Sequence, residues 1–353
     1  QDGREREEPY DQLLITSGAA AICPDLPGKE TQNIHGVPHL EAGLKVRQIV
    51  DQEKPKKAVV VGGGYIGLEM AEALILRGIE TTLIERGPQV MSTLDPDMGA
   101  LVSQALEEHG VQLYLEESLE AFLVRGETVC GIRTDRRTLE ADLVVLGLGV
   151  KPETALAEAA GIPLGIKGAI RVNSRQQTEV DGIWAAGDCA ESYHLVSRQP
   201  VNIALGTIAN KQGLVAGTNL GGGYATFPGV VGTAVSKICK YEVARTGLQE
   251  KEIQALGLKH TTATIDSKTR AGYYPDAGDI RVKLLAEKQT GRLLGGQIVG
   301  TEGAAKRIDV LATALYAGFT VQQLVELDLS YAPPFSPVWD PVQIAARVMV
   351  SKL

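Results

Sequence analysis

Cysteine is scarce in this chain and never grouped. The 353 residues hold four (Cys23, Cys130, Cys189, Cys239), widely separated, with no Cys-x-x-Cys and no cysteine–histidine set at metal-ligand spacing. Neither a disulfide framework nor a zinc site is supported, no metal ligands are expected, and a reducing cytoplasm is the expected compartment. Long apolar runs are missing too: none reaches the roughly 20 residues of a membrane-spanning helix, and no signal peptide is visible, so no membrane partner is expected. Basic clusters are also absent. With 35 Lys+Arg against 43 Asp+Glu the net charge is −8, which argues against nucleic acid as a partner. An initiating methionine is absent, the chain beginning at Gln1, so the native N-terminus is expected to lie elsewhere. What remains is an ordinary globular composition, 44% hydrophobic and 22% charged, sufficient for two or three domains.

The most informative stretch runs from Ala58 to Glu85. A β-branched run (Val59, Val60, Val61) passes into Gly62-x-Gly64-x-x-Gly67, then into apolar residues at helical spacing, then into a second apolar run closed by Glu85. Gly62 permits a tight turn out of the strand, Gly64 lets a pyrophosphate approach the backbone, and Gly67 lets the helix pack closely on the strand. The helix start, with Ile66 in its first turn, offers unpaired N–H groups and a positive dipole end to phosphates. Glu85 is placed to accept from the adenosine ribose hydroxyls, which favours NAD over NADP, while the adjacent Arg86 is able to meet a 2′-phosphate. The whole unit reads as strand–turn–helix–strand for a dinucleotide.

Other segments follow in order. Residues 40–50 suggest an amphipathic helix. Asp95 as N-cap, Pro96 at the first helical position and Gly110 as the stop bracket another. The run 143–146 ends in Gly147-Leu148-Gly149, where Gly149 is the expected backbone contact for a cofactor. In Gly182-Ile183-Trp184-Ala185-Ala186-Gly187-Asp188, a short strand ends in small residues before an acid that can accept from ligand hydroxyls; the alternative is that Asp188 caps a following helix. Two such sites imply two nucleotides. Gly221-Gly222-Gly223 marks a boundary, beyond which antiparallel strands and then helices form an α+β domain.

Taken together, YDQLLITSGA, VVVGGGYIGLE, DLVVLGLGVKPET, GIWAAGDCAE and LSYAPPFSPVWDP resemble, in that order, the flavin-dependent pyridine nucleotide–disulfide oxidoreductases over essentially the whole chain. The tail SYAPPFSPVWDP and Gly272-Tyr273-Tyr274-Pro275 look most like the coenzyme A–disulfide and NADH-dependent persulfide reductases of the single-cysteine branch. The resemblance implies an α/β fold: a Rossmann-like NAD(P)-binding domain (44–150) inserted in an incomplete FAD-binding domain (1–43 and 151–223), followed by an α+β dimerisation domain (224–353). It implies FAD and NAD(P)H as cofactors and a homodimer acting on a disulfide or persulfide, coenzyme A based, by way of a cysteine-centred disulfide. By residue, it implies Gly62, Gly64, Gly67 and Glu85 for NAD, Tyr65 as the aromatic covering the flavin, and Glu69 as an acid near the nicotinamide. Thr16, Gly18 and Gly187 match FAD-proximal backbone and Asp188 the carboxylate for the ribityl chain. Tyr331 and Tyr273 match tyrosines that reach across the dimer to the substrate sulfur.

One departure stands out. Such enzymes begin with their own GxGxxG for FAD and then the redox cysteine, and neither precedes Tyr10, so the chain is expected to be part of a longer enzyme. None of the four cysteines is a good replacement: Cys189 follows Asp188, Cys23 sits near Asp25, and Cys130 and Cys239 lie among apolar residues. Two alternatives stay open. One is an NADH oxidase or peroxidase of the same family; the other is a non-catalytic nucleotide-binding and dimerising fragment, in which Tyr331 is a packed interface aromatic.

Overall fold

The computed structural model describes residues 7–353. The chain forms two compact units, each discontinuous in sequence: one joins the chain up to Ala20 with Val150–Val230, the other joins Ala21–Gly149 with Val231–Leu353.

In the larger unit, β-branched and leucine-rich runs build a five-stranded parallel sheet in the order Ile34–Gly36, Leu143–Leu146, Lys57–Val61, Glu80–Glu85, Gln112–Leu115. Its central strands are buried on both faces, as parallel strands covered by crossovers must be, with Val59 and Val60 fully out of solvent. Helix Tyr65–Ile75 covers it through Leu68, Ala71 and Leu74. A three-stranded antiparallel sheet (Leu119–Arg125, Thr128–Thr134, Thr138–Glu140) packs Phe122, Val129 and Ile132 against Val59, Val61 and Val144. The C-terminal part of the same unit is a five-stranded antiparallel sheet in the order Ala234–Ile238, Tyr241–Gly247, Leu293–Gly300, Asp279–Glu287, His260–Lys268, with helices Ala304–Ala317 and Pro341–Val350. These two parts share one core, in which Val60, Leu68 and Met98 cluster with Ile238, Val243 and Val299.

The expected helix at Asp95 forms over Pro96–Glu108, and Asp95 is its N-cap, but its carboxylate does not cap. It accepts instead from the Glu250 N–H at 2.9 Å and from Gln297 Nε2 at 2.8 Å. Lys283, whose side chain is 4% exposed, meets Asp95 at 3.1 Å, Asp97 at 2.7 Å and Glu250 at 2.5 Å. Burial opposes its charge, but the hydrogen bonds to Asp97 and Glu250 and the charge of Asp95 outweigh that and hold its pKa above the usual lysine range.

In the smaller unit, Leu13–Ile15 pairs in parallel with Ile183–Ala185. A turn rather than a helix begins at Asp188, the next helix starting only at Gly206, so the capping alternative does not hold. The long helix of this unit, Gly206–Leu220, has no strong apolar stripe and carries buried Gln212 and Asn219. Gln212 accepts from the Gly187 N–H and donates to Glu191 O and Ser192 Oγ, each at 2.9 Å, fixing the loop after the strand. Among the described residues no helix is long and apolar enough to cross a membrane.

Candidate functional site

The dinucleotide turn is held by glycine contacts that admit no side chain. A Cβ on Gly67 would stand 1.9 Å from Gly62 O, and one on Gly62 would stand 2.6 Å from Gly147 O, in a backbone with φ of +105°. Gly147 in turn lies against Gly67, with a notional Cβ 2.6 Å from Gly67 Cα. Three glycines from two strands and a helix thus cross at van der Waals limit. Gly64 differs: its nearest protein atom would be 3.8 Å away, and the residue is exposed, so the room it provides faces outward. Gly149 likewise has φ of +86° and open space where a side chain would be. Sequence reasoning chose Gly149 from the Gly147-Leu148-Gly149 run and passed over Gly147; the signal was the same run, but which glycine meets Gly67 is a matter of tertiary approach.

Glu85 sits at the end of its strand with both carboxylate oxygens engaged: Oε2 accepts from the Gly63 N–H and Oε1 from the Gly87 N–H, each at 2.7 Å. A carboxylate has about four lone-pair positions, so two remain for ribose hydroxyls. Ile66 is half-buried in the first turn of the helix, and Tyr65 packs on the core with its hydroxyl 3.5 Å from Thr93 Oγ1. Glu69 is exposed and accepts from Ser236 Oγ at 2.7 Å. Three residues on, Glu72 accepts from the Cys239 N–H at 2.8 Å. These features fit a dinucleotide: a backbone cradle that a Cβ would fill, a helix start without a side-chain cap, and an acid with spare acceptors.

The smaller unit carries a second set. Ile15 O accepts from the Ala186 N–H at 3.1 Å, which sets Thr16, exposed, at the strand ends where Gly187 and Asp188 follow. Gly18 has φ of +71° and Gly187 φ of +88°, conformations that suit glycine, and at Gly18 nothing lies within 4 Å of a notional Cβ. Asn202 Nδ2 holds the loop by donating to Asp188 O at 2.9 Å and Ala190 O at 3.2 Å. Burial alone pushes the Asp188 carboxyl above the usual carboxylate range, with no charge or hydrogen bond offsetting it. A half-buried acid beside open backbone fits a polyhydroxyl chain such as the ribityl of a flavin.

In the larger unit, the Tyr273 and Tyr331 hydroxyls stand 3.5 Å apart, at the outer limit of hydrogen-bond contact. The hydrogen bond to Tyr331, with some burial, raises the pKa of Tyr273 above the usual phenol value. Tyr274 lies apart from this pair, its ring 6.0 Å from the Arg270 guanidinium. In the segment that follows Tyr331, Phe335, Val338 and Trp339 are exposed. All four cysteines are free; Cys189 and Cys239 are buried, and burial together with Glu72 raises the Cys239 thiol.

Residues 1–213 match the family described as pyridine nucleotide-disulphide oxidoreductase, and residues 233–341 match its dimerisation domain. The chain is 39% identical over 350 residues to the NAD(P)H coenzyme A polysulfide/persulfide reductase of Pyrococcus horikoshii, covering 99% of this chain and 78% of that protein. It is 36% identical to an NADH oxidase of Methanocaldococcus jannaschii, covering 100% of this chain and 78% of that protein. The solved NAD-dependent persulfide reductase from A. fulgidus superposes with a TM-score of 0.96 at 40% identity, covering all of this chain and 66% of that one, so this chain spans just under two thirds of that structure. With its glycine cradle, its pinned acid and a family match over most of its length, the chain belongs to the pyridine nucleotide-disulphide oxidoreductases.

Proposed function

We propose that the protein of which this chain is part reduces a coenzyme A disulfide, persulfide or polysulfide at the expense of NAD(P)H, with FAD as the intermediate carrier. The observation that carries the substrate end of this reading is the pair of phenols, Tyr273 and Tyr331, with hydroxyls 3.5 Å apart on an exposed surface. For a coenzyme A disulfide the balance is one NAD(P)H and one proton consumed, the S–S bond broken, and two thiols released. Bound FAD supplies the two-electron chemistry. The chain's own residues do the rest. Glu85 accepts from the adenosine ribose hydroxyls of the nicotinamide dinucleotide, and its carboxylate prefers those hydroxyls to a 2′-phosphate. Gly62, Gly64, Gly67, Ile66 and Gly149 let the phosphates and the nicotinamide half approach the backbone, with Tyr65 and Glu69 beside them. Thr16, Gly18, Gly187 and Asp188 receive the flavin, Asp188 accepting hydrogen bonds from the ribityl hydroxyls. Tyr331 donates a hydrogen bond to the departing thiolate, and Tyr273, its pKa raised, stays protonated at neutral pH and backs it.

Assembly as a homodimer through the C-terminal domain accords with the family match over 233–341 and with the exposed Phe335, Val338 and Trp339. A cytoplasmic location accords with the four free cysteines. A second reading, oxygen reduction, draws on the similarity to the M. jannaschii NADH oxidase.

The deciding measurement is coenzyme A–disulfide turnover of the holoenzyme against oxygen consumption without a thiol substrate. Tyr331→Phe is expected to lower disulfide turnover about 10²-fold, the lower end of what a positioned proton donor contributes, and to leave oxygen consumption unchanged. Disulfide turnover at the wild-type rate in Tyr331→Phe and Tyr273→Phe together would sink the role given to the phenols, and oxygen as the faster acceptor in the wild type would sink the reductase reading.

A further inference from the structure

Tyr273 and Tyr331 sit on separate irregular segments, one after the strand His260–Lys268 and one before the helix Pro341–Val350. Neither segment has regular structure to hold it, yet their hydroxyls meet. The side chain between them is Arg307, on the helix Ala304–Ala317. Its Nη2 donates to Thr269 O at 2.9 Å, at the root of the Tyr273 segment, and to Phe335 O at 3.2 Å, within the Tyr331 segment. Its Nε pairs with Asp340 Oδ2 at 2.8 Å, both side chains being only 11% exposed. Asp340 is itself fixed, accepting from the Val342 N–H at 2.9 Å as the helix cap and from Ser336 Oγ at 3.1 Å. The two segments also touch directly, the Ala271 N–H donating to Pro333 O at 3.1 Å.

We propose that Arg307 is the positioning residue of the tyrosine pair: one guanidinium fastens both segments, so the distance between the two phenols is set by its fork. The inference rests on the reading of Tyr273 and Tyr331 given above. A planar guanidinium reaches two backbone carbonyls and a carboxylate at fixed angles, whereas the single ammonium of lysine meets one or two of them without fixing their relative direction. Misplacement of a reacting group by about 1 Å costs on the order of 10²-fold in rate, so a charge-conserving change is enough to expose the role. Arg307 touches neither substrate nor cofactor in this account; it acts through the phenols.

The test combines kinetics of the holoenzyme with amide exchange. Arg307→Lys is expected to lower kcat for coenzyme A disulfide by about 10²-fold with KM little changed, and to remove exchange protection from the Ala271 amide, which reports the joined segments without reference to activity. In a Tyr273→Phe/Tyr331→Phe background, the same change is expected to cost nothing further, because the groups it positions are gone. Asp340→Asn, which withdraws the charged partner and leaves both backbone bonds, is expected to give a smaller loss with the same pattern, and covers the case in which an Arg307 variant does not fold. A slow double-phenylalanine protein in which Arg307→Lys still costs its full factor would overturn the positioning role alone. A double-phenylalanine protein at the wild-type rate would overturn the tyrosine reading beneath it, and the positioning role with it. Unchanged Ala271 protection in Arg307→Lys would also refute the proposal.

Discussion

The two acids of the nucleotide-type sites are opposites in how the protein treats them. Glu85 has a backbone N–H on each oxygen before any ligand arrives. Asp188 has burial and nothing to offset it, so its charged form is disfavoured where it stands. The first acid belongs to the architecture and lends its spare lone pairs to a ligand. The second is held at a cost in the protein alone, a cost that hydroxyl donors of a ligand would relieve. One acid is therefore satisfied by its own turn with acceptors to spare, while the other has no protein donor to offset its burial.

Substitutions sharpen this contrast, and the largest effect is expected where pinning is deepest. Lys283→Met would leave the buried Asp95 without its cation, beside the partly exposed Asp97 and Glu250, and is expected to cost about 3–5 kcal/mol, read from denaturant midpoints. Because the pKa of Lys283 is raised in the fold, its contribution is fully present below the unfolded lysine value of about 10.4 and is lost as pH rises through the folded value. The wild-type and variant denaturation curves are expected to converge in strongly alkaline solution; a constant gap there would contradict the assignment.

Gly67→Ala comes next. Its Cβ would collide with Gly62 O, and relief requires the helix to move off the strand, at about 1–3 kcal/mol together with a large loss of NADH affinity in titration calorimetry. Full affinity in this variant would show that the glycine crossing is not what shapes the cradle.

The acids themselves come last, with effects on stability no larger than that of Gly67→Ala. Glu85→Gln is expected to destabilise the flavin-free protein by about 1–3 kcal/mol, because an amide nitrogen would face one of the two N–H donors. Asp188→Asn is expected to leave that protein at least as stable at pH 7 while weakening flavin binding. For Asp188 the folded pKa is raised, so folding is most favoured below the unfolded value of about 3.9 and loses ground as pH climbs through the folded value. Removing the carboxyl flattens that slope. If Asp188→Asn proved as costly as Glu85→Gln in thermal melts, the distinction between a pinned and an unpinned acid would collapse.

How much of this could be read from the residues depended on range. The strand–turn–helix–strand from Ala58 to Glu85 declares itself because each requirement is local: β-branched residues, glycines at fixed offsets, helical spacing, a closing acid. Most of the antiparallel strands beyond Val231 are legible for the same reason, but the edge strand Ala234–Ile238 is not. The helix Gly206–Leu220 was not, since its inward side uses Gln212 and Asn219, whose burial is justified only by hydrogen bonds to distant loops. Asp95 was correctly placed as a helix start, yet its carboxylate answers to Gln297, 202 residues away, and no local rule could have named that partner. Arg307 is likewise anonymous in sequence; its meaning lies in three segments that only the fold brings together. Toward the C-terminus, the aromatic segments are visible as motifs, but the contact of Tyr273 with Tyr331 is not.

The shared core of the larger unit bears on how such a chain can be cut. Family boundaries fall near residues 213 and 233, and a nucleotide-binding module ending before the second boundary looks separable on paper. It would lack Ile238, Val243 and Val299, which complete the cluster around Leu68 and Met98, and its helix Tyr65–Ile75 would lose the Ser236 and Cys239 partners of Glu69 and Glu72. The region that recombines as a domain and the region that folds as a body are therefore not the same stretch of chain. A grafted or swapped nucleotide module from this protein needs the antiparallel sheet to travel with it.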